Sequence, residues 1–539
     1  MSTPADTSSK RFTLAKCVGP LLVLLWGAAC FAFFQCCYRY HFFYQEQNQI
    51  FLLTSGYLSS YLDRPAWVAC LLGDALTQFY YYLYAGPAIL TLALLTLGDL
   101  TRRALQQAGV KSLWAYVAAF LVMTLEAVCC LRTGHRLSSV IALGGGMAVF
   151  LAAVPLLRRG RWAFALTMIV ASATTYWMFG YGLWALQILV IIHLICHYRQ
   201  KSYGWSIFFG FFPVILIPAI LFLAERHYLI TSEKALTYPG IGRLQSPDFI
   251  LEKSLAADNE YYFGHFRKVE QMVEDDDQPT EEMLFFYNLV QAQQDQLPDR
   301  LLSHVPNQLG TFYTIGPESR RLTIINMNEL YWALGDMTFT ERAAMMTNVF
   351  APDNRNVRMI KRLAECNLVS GDSIAALKYL RILQKTLVYR PWAEQMLHHE
   401  LPHYQYILDK RRFVNRADTI RTTDNLHMVM MELLDSNPRN TVALDYILCS
   451  TLLLKDMDNF KRDYDRYCYS LGQERKKPLY QQALMIYLSG TNAPQEEWEK
   501  YIHDDALLQR FADYSNHRGD PRFSDTYWYY FDTTKTPKP

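Results

Sequence analysis

Residues 112–131 read SLWAYVAAFLVMTLEAVCCL, and in that run only Glu126 carries a charge. A helix rises about 1.5 Å per residue, so a run of this length matches the roughly 30 Å hydrocarbon core of a bilayer. Inside hydrocarbon each backbone N–H and C=O has to find its partner within the segment, which a helix provides. The stretch reads as a membrane-spanning helix, and the segments around it take their meaning from that.

Comparable apolar runs flank it at Cys17–Tyr38, Tyr82–Leu100, Val140–Leu157, Trp162–Phe179, Gly182–Cys196 and Ile207–Ala224. Together they predict a transmembrane domain over 17–224 with about seven helices. Gly180-Tyr181-Gly182 predicts a tight hairpin between the fifth and sixth. Gly144-Gly145-Gly146 lies inside the fourth, where missing side chains let helices approach closely. Eight of the eleven cysteines lie in or beside these runs, where they act as small hydrophobes.

Lysine and arginine are unevenly spread among the short loops. With residues 1–16 in the cytoplasm, that side also receives Arg102, Arg103, Lys111, Arg158, Arg159, Arg161, Arg199 and Lys201. The other side receives Arg39, Arg64, Arg132 and Arg136. Positive charge collects on the cytoplasmic side, so an odd number of spans places everything after residue 224 outside the cytoplasm. The expectation is a multi-pass inner (plasma) membrane protein, its C-terminal domain periplasmic in a two-membrane bacterium. Pro65–Tyr84, PAWVACLLGDALTQFYYYLY, is apolar enough to suggest one more crossing. Too few residues separate it from Asp99 for two spans and a turn, and Asp74, Thr77 and Gln78 share a helical face. It reads as an interfacial or re-entrant helix near 65–81.

From Glu225 the composition becomes that of a charged, aromatic, water-soluble chain. A linker over 225–257 leads to a helical-repeat domain over 258–531, with a disordered tail over 532–539. The clearest unit is Asn354–Leu387, NRNVRMIKRLAECNLVSGDSIAALKYLRILQKTL. Leu363 and Ala364 belong to a first helix, Gly371 makes the turn, and Ala376 and Leu380 line a second. Gly335 marks a matching turn 36 residues upstream (371 minus 335), close to the tetratricopeptide period of roughly 34. Lys455-Asp456 replaces the glycine in a third unit opened by Asn437-Pro438. The fold class is all-α: a polytopic transmembrane helix bundle followed by a soluble, tetratricopeptide-like helical-repeat domain.

Several stretches carry a family resemblance: Leu76–Tyr81, Leu363-Ala364-Glu365 with Gly371 and Ala376, and Trp392-Ala393. Asn437-Pro438 with Asn440, Ala443 and Tyr446, then Pro478–Ala483 and Tyr527–Phe531, complete it. On these the chain resembles a family of uncharacterised bacterial inner-membrane proteins of unknown function. The resemblance implies a topology and no activity.

Chemistry-bearing residues are few. Glu126 is an intramembrane carboxylate, costly unless paired or facing a cavity, and so a candidate for function. Its bland reading is a hydrogen bond to a neighbouring helix. His193 and His197, four apart, could hold a metal but read better as a polar cap. Glu46, Asp63 and Asp74 stand in and after the first outer loop, where membrane glycosyltransferases using lipid-linked donors place an acidic residue as general base or metal holder. Asp63 has Arg64 beside it as a partner. Cys366, Cys449 and Cys468 lack metal-ligand spacing, and a Cys449–Cys468 disulfide or three buried thiols both stay open. No motif assigns a metal or a cofactor. A net charge of +2 gives no footprint for nucleic acid. The expected function is a membrane-anchored interaction scaffold, in contact with the lipid bilayer and a protein partner, serving cell-envelope or polysaccharide assembly. A glycosyltransferase-like enzyme is the alternative, and a transporter resting on Glu126 the third.

Overall fold

The computed structural model describes residues 7–197, 212–304, 319–414, 425–470 and 476–535. Among the described residues every regular element is a helix. The chain divides into two units, 1–252 with 384–391, and 253–383 with 392–539. The short return segment 384–391 could not be assigned to the first unit from chain order alone.

In the first unit four helices are long and apolar enough to cross a membrane: Val18–Cys36, Ser112–Cys129, Leu137–Leu157 and Arg161–Phe179. The other three expected spans are also helical but fall outside that group. Ala85–Ala108 carries a charged turn within its C-terminal half, in which Asp99 pairs with Arg102 and Arg103, each at 2.6 Å. Gly182–His197 has 16 residues, short of a full crossing. Of the last expected span, 207–211 lie outside the described residues and the rest falls in the helix Phe212–Tyr228. Leu21, Leu24 and Leu25, Leu113, Trp114 and Leu121, and Trp162 and Leu166 are all exposed. Apolar surface on this scale is foreign to a water-soluble monomer and natural against hydrocarbon.

Trp67–Thr77 is a helix of 11 residues, about 16 Å long and half a bilayer core. A Cβ added at Gly73 would lie 2.7 Å from the Ser138 backbone, so this helix is pressed against the start of Leu137–Leu157. The triple glycine has a similar purpose. A Cβ at Gly146 would lie 2.0 Å from the Gly182 carbonyl oxygen, and one at Gly182 2.1 Å from that of Ala142. Helices Leu137–Leu157 and Gly182–His197 therefore touch backbone to backbone. Gly146→Val is expected to force them apart, costing about 3 kcal/mol or more, seen as aggregation in size-exclusion chromatography of the detergent-solubilised chain. Gly144→Ala meets only leucine methyls at 3.5 and 3.7 Å and is expected to leave the elution peak unchanged.

The second unit is built of helix hairpins. Arg321–Leu334 turns at Gly335 into Met337–Phe350, and Val357–Ser370 turns at Gly371 into Ser373–Leu383. Both glycines are left-handed, with φ of 79° and 86°, a conformation that costs other residues energy. Each turn is followed by an aspartate that caps the next helix: Asp336 accepts from Phe339 N at 3.0 Å and Asp372 from Ala375 N at 2.9 Å. Lys455 keeps the left-handed turn, with φ 56°, and Asp456 caps from Asn459 N at 3.1 Å. A left-handed residue also stands between helices at Gly264, Asp295 and Asn492, without the aspartate cap. Leu363, Ala364, Ala376 and Leu380 are buried between the paired helices. Nothing lies within 4 Å of a Cβ at Gly371, so Gly371→Ala isolates the backbone cost, expected at about 1 kcal/mol by denaturant titration. Gly335→Ala is expected to cost more, because its Cβ would also meet the Phe413 ring at 3.0 Å. Cys366, Cys449 and Cys468 are buried and not joined in a disulfide.

Candidate functional site

The acidic residues singled out in the first unit are held by different groups. Glu46, on the helix Tyr40–Gln47, is buried and accepts a hydrogen bond from the Tyr389 hydroxyl at 3.0 Å. Burial pushes its carboxyl well above the ordinary range and outweighs that bond, favouring the neutral acid. Asp74 accepts from Tyr61 Oη at 2.8 Å and faces Arg64 at 3.6 Å, whose guanidinium lies 3.7 Å over the Tyr61 ring. Arg64 thus reaches Asp74, while Asp63, its expected partner, is exposed. Glu126, three residues before the end of its helix, lies 3.0 Å from His135 Nε2, both buried. His193 is buried with its ring 4.3 Å from that of His197. Among the described residues no three His, Cys, Asp or Glu side chains gather into a metal site.

The second unit holds a denser constellation. Arg358 and Arg362 project from one face of helix Val357–Ser370. Arg358 forms a bidentate pair with Asp258 at 2.8 and 2.9 Å and reaches Glu329 at 2.8 Å. Arg362 reaches Glu329 at 2.6 Å, Glu365 at 2.9 Å and the Asn328 side-chain oxygen at 3.1 Å. Tyr406 donates to Glu365 at 3.0 Å. All five charges are buried, which is tolerable because each has opposite charge and hydrogen bonds around it. Burial raises the Glu329 carboxyl, but the two guanidinium groups outweigh it and hold it below the usual range.

Glu329, Arg362, Glu365 and Tyr406 of this network line a cavity of about 710 Å³. Its walls are aromatic: Tyr262, Trp332, Trp392, Tyr406 and Phe413. Lys361 sits 5.1 Å from the rings of both Tyr262 and Trp392, and Arg362 4.4 Å over Trp332. Lys410 donates to the Trp332 and Ala333 carbonyls at 2.9 and 3.4 Å. Burial, helped by the Arg362 charge, pushes its ammonium down to about 8. A reading of the sequence for apolar periodicity passed over Arg358, Arg362 and Glu329. The available signal was two arginines four apart on a helix expected to be mostly buried.

A family profile described as family of unknown function (DUF6057) matches residues 13–534. The chain belongs to this family. The match embraces residues of both units, so the cavity and the apolar helices alike lie within the DUF6057 region. No curated protein and no solved structure matches the chain.

What the cavity of this DUF6057 member can do chemically follows from its groups. Glu329 and Glu365 are engaged by arginine, which suits them poorly to proton transfer. Lys410 is fixed against the carbonyls that end helix Arg321–Leu334, a capping role. Lys361, Arg362 and Lys410 against Glu329 and Glu365 leave one positive charge in excess among the lining side chains. Flat aromatic walls and a cationic surplus suit binding of an acidic group rather than a bond-making reaction.

Proposed function

We propose that this protein is a membrane-anchored binding scaffold whose second unit, a tetratricopeptide-like array, holds an extended acidic polypeptide in the Trp332–Trp392 cavity. The observation that carries the reading is that cavity: rigid aromatic walls over a fully paired ionic floor, with Lys361 and Lys410 at its edge. Helical repeats present extended segments of a partner with such concave surfaces. The uneven loop charges favour a multi-pass protein with a cytoplasmic N-terminus and the array outside the cytoplasm, suited to cell-envelope assembly. Alkaline phosphatase fused after Pro539 is then expected to be active, and a fluorescent protein at the same point dark; the reverse would put the array in the cytoplasm. The glycosyltransferase reading draws less support, since Glu46 is buried against Tyr389 and the half-buried Asp74 is engaged by Tyr61 and Arg64.

The binding test uses the full chain in nanodiscs against an array of synthetic peptides graded in Asp and Glu content. Acidic peptides are expected to bind best, and Trp332→Ala with Trp392→Ala to weaken them by about 30-fold or more. Affinity should fall as pH rises through and beyond about 8, where Lys410 loses its proton, and Lys410→Arg should abolish that fall. Equal binding of neutral peptides, or indifference to the tryptophan changes, would overturn the proposal.

A further inference from the structure

Two adjoining cavities in the first unit lie where the helices Thr7–Cys36 and Ser112–Cys129 end. One, about 640 Å³, is an apolar crevice lined by Trp26, Ala29, Phe33, Thr124, Val128 and Leu131, with Leu244–Pro247 also in its wall. The other, about 220 Å³, is walled by Arg132, His135, Arg136 and Arg243, and among the described residues lining it there is no carboxylate. The two share their framework. Leu131 and Leu244 line the crevice while their neighbours Arg132 and Arg243 line the basic cavity.

The basic wall is held in place from several sides. Gln45 Nε2 donates to the carbonyls of Thr133 and His135 at 3.2 and 3.1 Å, and Glu126 holds the His135 ring at 3.0 Å. Tyr38 donates to the Leu131 carbonyl at 3.1 Å and accepts from Asp248 N at 3.2 Å, tying the 131–136 turn to the segment leading to 248. A Cβ at Gly242 would lie 2.6 Å from Cys129 Sγ, so that segment is also pressed onto the helix end. Leu137–Leu157 begins here without a side-chain cap, adding partial positive charge. The side chains of Arg132, Arg136 and Arg243 are exposed around this one cavity, and an anion among them gains charge-assisted hydrogen bonds from more than one guanidinium.

We propose that the paired cavities bind one phosphate-headed lipid, its phosphate among Arg132, Arg136 and Arg243 and its hydrocarbon chain in the crevice between Trp26 and Leu131. The inference rests on the membrane placement proposed above. A soluble anion would use the basic cavity and leave the apolar crevice empty; a zwitterionic lipid would gain little from three arginines. A phosphate lipid uses both.

The test takes the full chain in a neutral maltoside detergent, read by native mass spectrometry and thermal melting. The probes are dioleoyl phosphatidic acid, dioleoyl phosphatidylcholine and inorganic phosphate. One phosphatidic acid is expected to be retained at least about tenfold more tightly than phosphatidylcholine. Arg132→Gln with Arg243→Gln is expected to weaken it about 30-fold or more, whereas Arg159→Gln, elsewhere in the unit, should have no effect. Ala29→Phe, which fills the crevice, should weaken the lipid without altering the response to inorganic phosphate. Should the arginine variants fail to fold, Ala29→Phe and the two-lipid comparison decide. Protection by inorganic phosphate equal to that by phosphatidic acid, with no effect of Ala29→Phe, would mean a free-anion site. Equal retention of both lipids would mean no headgroup recognition, and either result overturns the proposal. Membrane placement is read separately, by whether the chain stays in the pellet after alkaline carbonate extraction.

Discussion

Arg358→Met is expected to destabilise the second unit by about 3–5 kcal/mol, because it leaves buried carboxylates without their countercharge. Asp258 would lose both of its guanidinium bonds, now 2.8 and 2.9 Å, and Glu329 would keep only Arg362. Burial already raises the Asp258 carboxyl even with Arg358 beside it; without the arginine, folding would require it to take up a proton. The remedy is therefore specific. Adding Asp258→Asn to Arg358→Met removes the stranded charge and is expected to recover roughly half of the loss, since a neutral amide is far cheaper to bury than a carboxylate. Denaturant unfolding of the full chain, followed by tryptophan fluorescence, separates the outcomes. A loss below about 1 kcal/mol for Arg358→Met would mean that the network is screened by water and contributes as an exposed pair does.

The parts of this architecture that could be read from sequence are those written in local spacing. Gly335 and Gly371 announce their turns because only a few residue types accept positive φ, and an aspartate follows each as helix cap. Gly144-Gly145-Gly146 announces a close approach, though it took the structure to identify the Gly182 carbonyl as the neighbour. Apolar length marks helices well but crossings less well: Ala85–Ala108 is long, yet its C-terminal half contains the Asp99, Arg102 and Arg103 cluster. Partners distant in sequence were not legible. Glu46 drew notice as an acid in an outer loop, whereas its hydrogen bond comes from Tyr389, 343 residues away. Arg358 reaches Asp258 across 100 residues, and neither residue's neighbours in sequence indicate the other.

His41 and Glu252 are expected to hide each other's pH dependence, and single substitutions should expose it. Both are buried in the first unit, with His41 Nδ1 3.8 Å from Glu252 Oε2. Burial lowers the imidazole to about 3 and raises the carboxyl to about 7, the latter despite hydrogen bonds from the Tyr40 and His41 backbone and the charge of Arg39. For Glu252, whose folded value is raised, the contribution to stability is present below the ordinary 4.5 and is lost as pH climbs towards 7. For His41, whose folded value is depressed, it is present above the ordinary 6.5 and is lost as pH falls towards 3. Between about 4.5 and 6.5 the folded pair keeps its proton on Glu252 and the unfolded pair keeps it on His41, so each state binds one proton and the slopes cancel. Glu252→Gln leaves the histidine alone, and stability should rise by roughly 2–3 kcal/mol from pH 4.5 to 6.5. His41→Phe leaves the carboxyl alone, and stability should fall by a similar amount over the same interval. In melting temperature each change is roughly 5–10 °C, within reach of differential scanning fluorimetry on the detergent-solubilised chain. Opposite slopes in the two variants around a flat parent would establish the proton exchange. Parallel profiles in all three would mean that neither group changes its proton affinity on folding.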